Sequence, residues 1–346
     1  MKGNEAIGEA AIRAGCRFFF GYPITPQSEI PEYLARRFPE VDGTFVQAES
    51  EVAASNMIYG AACTGTRVFT SSSSPGISLM SEGISYIAAS EVPVVVVNIV
   101  RAGPGLGGIL PSQGDYWQAT RGMGHGDFRI LALAPASVQE AADLVRLAFD
   151  LAEKYTNPVM VIGDGIIGQM MEPVEFGEVM EPAPKDKFDW ALTGAKDREP
   201  NIVTSLFLDP KELEDMNQRL LKKYVQMEAE EKRWEEYNVE DDMELMVYAW
   251  GTMSRICKTA IDELKQDGHK IGLFRPITLY PFAYEAAGEC AGKAKKLMSV
   301  ELSTGQMIDD IRLAAPGREV AFFGRQGGIV PTPEEVRNEF LKVIES

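Results

Sequence analysis

From Phe18 to Ile162 short runs of β-branched and aromatic residues alternate with longer stretches of helical spacing. Strands buried on both faces read as continuous apolar runs, and the helices covering them read as apolar stripes. The alternation therefore predicts β–α units on a mostly parallel sheet. Strands are expected at 18–20, 45–46, 68–70, 94–100, 130–133 and 159–162, and helices at about 27–37, 51–63, 75–89 and 137–155. Pro75 suits a first helical turn, where its missing N–H is no loss, and Ser137 suits an N-cap.

The pattern breaks after Glu172: Pro173, Pro182, Pro184 and Pro200 follow, and no β–α unit is readable before residue 244. Inside this stretch Asp209–Glu244 carries 13 acidic and 6 basic residues. Leu213, Leu220, Leu221, Tyr224, Met227 and Trp234 give it one apolar stripe, which predicts a charged helix laid across a surface; a solvated connector fits the same pattern. Alternation resumes with strands at 245–249, 271–274, 296–300 and 319–323 and helices from about Met253, Glu285, Gly305 and Pro333. The expected organisation is an α/β domain over residues 1–183, a charged and partly helical linker over 184–243, and a smaller α/β domain over 244–346.

Charge narrows the classes of function. The 346 residues include 34 basic and 51 acidic ones, a net −17, so a wide basic surface for nucleic acid or anionic lipid is excluded. The apolar run around Val94–Val100 is interrupted by Pro93 and Asn98, and the N-terminal stretch carries Glu5 and Glu9, so neither a membrane segment nor an export leader is expected. A cytoplasmic protein is the expectation. Cys16, Cys63, Cys257 and Cys290 lie far apart and form no C-x-x-C pair, so no metal or iron–sulfur ligation is expected on this chain. Small buried thiols are the plainer reading.

Candidate chemistry sits where an open α/β sheet holds its ligands, beyond the carboxyl ends of strands. The loop Gly21-Tyr22-Pro23-Ile24-Thr25-Pro26 confines the residue before each proline to extended geometry and leaves the Thr25 hydroxyl on a stiff turn. A simple strand-ending turn would have the same residues. Glu49 and Glu51 differ by roughly 200° on a helix, so only one of them can face a pocket. Such a carboxylate could equally be a cap. Arg101 follows the apolar Val94–Val100 and precedes Gly103, Gly105, Gly107 and Gly108; a guanidinium above so little bulk suits a small carboxylate, or an internal ion pair. Ser71–Pro75 reads as a helix cap or a phosphate site. Gly163-Asp164-Gly165 opens like a magnesium–diphosphate motif but has no Asn pair after it, and neither His125 nor His269 adjoins a nucleophile motif.

Taken together, Tyr22-Pro23-Ile24-Thr25-Pro26, Gln47–Ala54, Thr70–Gly76 with Ser78-Leu79-Met80, and Arg101–Gly107 resemble the pyrimidine-domain subunit of the 2-oxoacid:ferredoxin oxidoreductases. The run Gly105–Gln113 is most similar to the 2-oxoisovalerate (branched-chain) branch, with the 2-oxoglutarate branch next. The resemblance implies a thiamine-enzyme pyrimidine-binding domain followed by a transketolase-C-terminal-like domain. It implies thiamine diphosphate shared with a beta-type subunit that holds the diphosphate and Mg2+, and [4Fe-4S] clusters on partner chains. A gamma-type subunit, a ferredoxin-like delta subunit, ferredoxin, coenzyme A and a 2-oxoacid complete the implied partners. By the same resemblance Glu51 hydrogen-bonds the pyrimidine ring, with Tyr22, Pro26 and Ser74 also at the cofactor. Thr25 then meets the substrate near its carbonyl, and Arg101 pairs with its carboxylate. A self-sufficient transketolase-type enzyme and a non-catalytic assembly subunit are the other readings.

Overall fold

The computed structural model describes residues 1–346 apart from Ala183, Lys185 and Asp186, so the expected end of the first domain, residue 183, lies outside the described residues. Among the described residues twelve strands are present: β1 Phe18–Gly21, β2 Thr44–Gln47, β3 Val68–Ser72, β4 Val94–Val100, β5 Leu131–Leu133, β6 Pro158–Asp164, β7 Trp234–Tyr237, β8 Met243–Tyr248, β9 Ile271–Pro276, β10 Thr278–Tyr280, β11 Ala294–Glu301 and β12 Val320–Gly324. One sheet runs β10-β5-β6-β4-β3-β1-β2 and the other β12-β11-β8-β9-β7. All pairings are parallel except β10 on β5 and β7 on β9.

The central strands β3, β4 and β6 are buried along their whole length, which explains why apart from Asn98 and Asp164 they consist of apolar or small residues. In parallel register from Val94↔Pro158 to Val100↔Asp164, β4 and β6 end side by side. The ends of β1, β3, β4 and β6 thus bring Gly21, Ser72, Arg101 and Asp164 to one edge of the sheet. This is the edge on which the candidate residues lie.

Two edge strands cross the expected organisation. β10, from beyond residue 244, pairs with β5 of the first sheet, and β7, from the charged segment, pairs with β9 of the second. Trp234 therefore belongs to a strand and does not continue the helix. That helix, Pro210–Glu230, is capped by Asp209 and buries Met216, Leu220, Tyr224 and Met227 against the first sheet's core. Its flanks are tied by ion pairs from Arg219 and Lys223 to Glu91 and from Lys154 to Glu230 and Glu231. The charged helix laid across a surface is thus present.

An N-terminal helix, Gly3–Arg13, is absent from the expectations because its buried face is mostly Gly, Ala and polar residues, with Ile7 and Ile12 its two large apolar positions. A Cβ at Gly3 would lie 1.8 Å from the Ile167 carbonyl oxygen, and Asn4 donates to the Pro26 carbonyl and to Glu29. No helix among the described residues is long and apolar enough to cross a membrane.

Candidate functional site

The helix Glu51–Ala62 begins with Ser50, whose hydroxyl accepts the Ala53 N–H at 3.1 Å. Ser50 is the cap, which frees Glu51 from that task. Glu51 is buried and Glu49 exposed, so the helix start separates the two carboxylates as their spacing demands. The Glu51 side chain lies against the helix Ser74–Ala89, where Gly76 leaves room for it. A Cβ at Gly76 would come within 2.7 Å of Glu51 Oε1 and 2.0 Å of Ser72 Oγ, and one at Gly83 within 2.3 Å of Ser55 Oγ. Glu51 and Ser55 on one helix therefore face Gly76 and Gly83 on the other, each pair about one or two turns apart. Among the described residues nothing hydrogen-bonds the Glu51 carboxylate, and the buried hydroxyls of Thr70, Ser72 and Ser73 have no partner.

Arg101, at the end of β4, is nearly buried. Its Nη1 donates to the Thr25 carbonyl at 3.1 Å and its Nη2 to the Leu106 carbonyl at 3.0 Å, while Nε is buried and unpartnered. Its charge meets backbone oxygens and, among the described residues, no carboxylate, so the internal ion pair is not formed. Ser74 ties this backbone down: the Arg101 N–H donates to Ser74 Oγ at 3.1 Å, and Ser74 Oγ donates to the Arg101 carbonyl at 3.3 Å.

The structure thus brings Thr25, Arg101 and Ser74 into one hydrogen-bonded group, with Glu51 at the N-terminus of the helix that Ser74 begins. Tyr22 is exposed on the same loop as Thr25. Pro26 turns its carbonyl the other way, toward Asn4 and Gln169, and is tied into the fold. His125 is exposed, and His269 faces Glu244 at 3.1 Å in the second domain. Asp164 caps the helix Gly165–Gln169 through the Ile166 and Ile167 N–H groups. All four cysteines are buried free thiols, and burial pushes Cys16 up to about 12.

Asp115, Ser303 and Gln326, which the sequence pattern did not single out, complete the site. A cleft of about 600 Å³ opens beside Arg101, lined on one side by Ser74, Ser78, Gly105 and Asp115 and on the other by Ser303 and Gln326 of the second domain. Gln113 clamps the two sides: its N–H and side-chain amide donate to Leu302 O and Trp250 O at 2.8 Å, and its Oε1 accepts the Leu302 N–H at 3.0 Å. Burial raises the Asp115 carboxyl above the usual range despite the hydrogen bond from Asn98. The available signal for these residues was Asn98, the polar interruption of the strongest apolar run.

Residues 9–246 match the family model described as pyruvate flavodoxin/ferredoxin oxidoreductase, thiamine diphosphate-binding, and residues 243–336 match pyruvate:ferredoxin oxidoreductase core domain II. The chain belongs to the 2-oxoacid:ferredoxin oxidoreductases. Within the family it is similar to the ketoisovalerate oxidoreductase subunit VorB of Methanothermobacter thermautotrophicus, 50% identical over 95% of this chain and 93% of the relative. It is also similar to the 2-oxoglutarate synthase subunit KorA of Methanocaldococcus jannaschii, 36% identical over 99% and 98% of the two chains. Among solved structures, 2-oxoglutarate:ferredoxin oxidoreductase from Magnetococcus marinus superposes with a TM-score of 0.86 at 27% identity; the match covers 99% of this chain and 65% of that one. The fold is accordingly the α/β pyrimidine-type domain with a transketolase-like neighbour.

Proposed function

We propose that this chain is the alpha-type subunit of a branched-chain 2-oxoacid:ferredoxin oxidoreductase. With its partners it converts 2-oxoisovalerate and coenzyme A to an acyl-CoA and CO2 while reducing ferredoxin. The observation that carries the reading is Arg101: a nearly buried guanidinium with an unpartnered Nε, anchored on the Thr25 carbonyl beside an open cleft. A buried cation without an internal anion is costly unless something else completes it, and a 2-oxoacid carboxylate does so. Identity to the ketoisovalerate subunit favours the branched-chain substrate over 2-oxoglutarate.

The residues around Glu51 fit the aminopyrimidine half of thiamine diphosphate. The carboxylate has no hydrogen bond from the described residues, Gly76 keeps the space beside it clear, and unpartnered hydroxyls lie behind it. Bound thiamine diphosphate supplies the carbon nucleophile and the electron sink for decarboxylation. Glu51 holds and exchanges a proton with the pyrimidine ring nitrogen through its carboxyl. Tyr22 and Ser74 border this region, Arg101 orients the substrate by its carboxylate, and the Thr25 hydroxyl meets the substrate near its carbonyl.

The diphosphate, Mg2+ and [4Fe-4S] clusters belong, in this reading, to beta-, gamma- and delta-type partner subunits. Asp164 is engaged in capping a helix, and the cysteines are buried thiols spread through the core. Val52 next to Glu51, Leu79 on the Ser74–Ala89 helix and Leu106 beside Arg101 expose apolar side chains around the site, as a face covered by a partner would. The test is viologen reduction by the assembled complex and by this chain alone, across 2-oxoacids. The complex is expected to turn over 2-oxoisovalerate faster than 2-oxoglutarate, and the isolated chain to be inactive. Substantial activity of the chain alone overturns the division of labour, and preference for 2-oxoglutarate overturns the substrate.

A further inference from the structure

Asn98 is a polar residue set within the strand Val94–Val100 and is fully buried. A buried amide in an apolar strand is costly unless both of its ends are bonded. Both are: Oδ1 accepts the Ser74 N–H at 3.2 Å, and Nδ2 donates to Asp115 Oδ2 at 2.9 Å. The chemistry locks the orientation, because only the oxygen can accept an N–H and only the NH2 can donate to a carboxylate. Ser74 in turn holds both the N–H and the carbonyl of Arg101. A continuous chain therefore runs from Asp115 through Asn98 and Ser74 to the backbone that carries the guanidinium.

Beyond accepting the Asn98 amide, Asp115 makes no structural hydrogen bond through its carboxylate among the described residues. It precedes the helix Tyr116–Arg121 without capping it through its side chain, and it forms no ion pair among the described residues. It lines the same cleft as Arg101.

We propose that Asp115 is a positioning residue for the substrate carboxylate: through Asn98 and Ser74 it fixes the backbone of Arg101, and its own charge state sets how strongly the cleft attracts a second carboxylate. The inference rests on the reading of Arg101 given above. The charged groups on the surrounding elements are few. Arg101 ends the strand that carries Asn98, and Glu51 lies across the N-terminus of the Ser74–Ala89 helix. Behind the loop that closes the cleft, Glu301 is satisfied by Ser299, Ser303 and three backbone N–H groups. Asp310 is held there by Arg121, Tyr116 and Tyr284.

The direction of the pH effect follows. Burial raises the Asp115 carboxyl, so it stays neutral to a higher pH than an ordinary aspartic acid. Once ionised, it offsets the Arg101 charge and opposes an incoming carboxylate. The KM for the 2-oxoacid should therefore rise as pH increases through the Asp115 ionisation, and substrate binding should hold the proton on Asp115.

The test is steady-state kinetics of the assembled complex on 2-oxoisovalerate over a pH series. Asp115→Asn keeps the size of the side chain and an acceptor for Asn98 but cannot ionise, so its KM is expected to be flat where the wild type rises severalfold. Asp115→Ala leaves the Asn98 amide unpartnered and is expected to raise KM about tenfold below the Asp115 ionisation, the ratio narrowing at higher pH as the wild-type KM rises, with a smaller change in kcat. A D115N complex that retains the wild-type dependence of KM on pH, or a D115A complex that loses kcat at unchanged KM, overturns the proposal. A wild-type complex that turns over no 2-oxoacid would overturn the functional reading itself, a result distinct from either of these.

Discussion

Arg101 donates from Nη1 to the Thr25 carbonyl oxygen at 3.1 Å, joining the end of β4 to the loop after β1 across the intervening β3. The bond aims the guanidinium while leaving Nε unpartnered. Replacing Arg101 by Ala should weaken 2-oxoacid binding by about 2–4 kcal/mol, since it removes one side of a desolvated, hydrogen-bonded charge pair. Lys should recover only part of this, because a point charge cannot reach both the Thr25 and Leu106 carbonyls and the substrate. The measurement is KM across 2-oxoacids in the assembled complex; an unchanged KM would remove Arg101 from the substrate site.

Glu51 and Glu49 supply a paired test within three residues. Glu51→Gln preserves shape and removes the exchangeable carboxyl proton, so kcat should fall about 100-fold or more. Glu49 is exposed, and Glu49→Gln should leave kcat within about twofold. Equal effects of the two variants would contradict the assignment.

Gly76 is required by what lies against it. An alanine methyl would sit 2.0 Å from Ser72 Oγ and 2.7 Å from Glu51 Oε1, so Gly76→Ala must displace the carboxylate. Overpacking of this kind costs about 1–3 kcal/mol, and kcat should fall with it. At Gly60, on the Glu51–Ala62 helix, an alanine methyl would meet nothing within 4 Å among the described residues. Gly60→Ala should instead stabilise by about 0.5–1 kcal/mol with normal activity. Thermal unfolding and turnover of both variants separate crowding of the site from a general effect of adding a methyl.

Most strands of the first sheet were legible because strands buried on both faces carry a nearly continuous apolar text, as Val94–Val100 does with Asn98 its one polar residue. Arg101 and Thr25 were legible for related reasons: one is a charge that ends such a run, the other a hydroxyl between two prolines. β10 was not. Three residues, Thr278–Tyr280, have no pattern of their own, and their place on β5 depends on contacts such as Ala134 N–H to Ile277 O and the bonds of Thr278 to Arg233. Asn98 was visible only as a polar interruption, and its link to Asp115 was hidden for the same reason, since the partners of its amide lie 24 and 17 residues away along the chain. Spacing alone separated Glu49 from Glu51 without ranking them; the cap at Ser50 and the gap at Gly76 do so in three dimensions.

Arg275 is the clearest electrostatic link between the two sheets. From β9 it makes two bonds to Glu140, on the Val138–Tyr155 helix of the first domain, at 2.8 and 2.9 Å, and one to Glu235 on β7 at 2.7 Å. Burial by itself would raise the Glu235 carboxyl, but hydrogen bonds and charge from Lys258 and Arg275 more than offset it and hold it below the ordinary value. A carboxyl lowered in the folded state contributes stability that is complete above its unfolded pKa, about 4.3, and is lost as pH falls through the folded value. Arg275→Ala should therefore destabilise the chain by about 2–4 kcal/mol at neutral pH, because the partly buried Glu140 loses its ion-pair partner and Glu235 keeps only Lys258. The gap from wild type should shrink below about pH 4 as the Glu235 carboxyl takes up a proton. Urea unfolding at neutral and acidic pH checks both statements, with Arg275→Met as the volume-preserving control; a gap that stays constant with pH would show that packing, and not charge, makes the link.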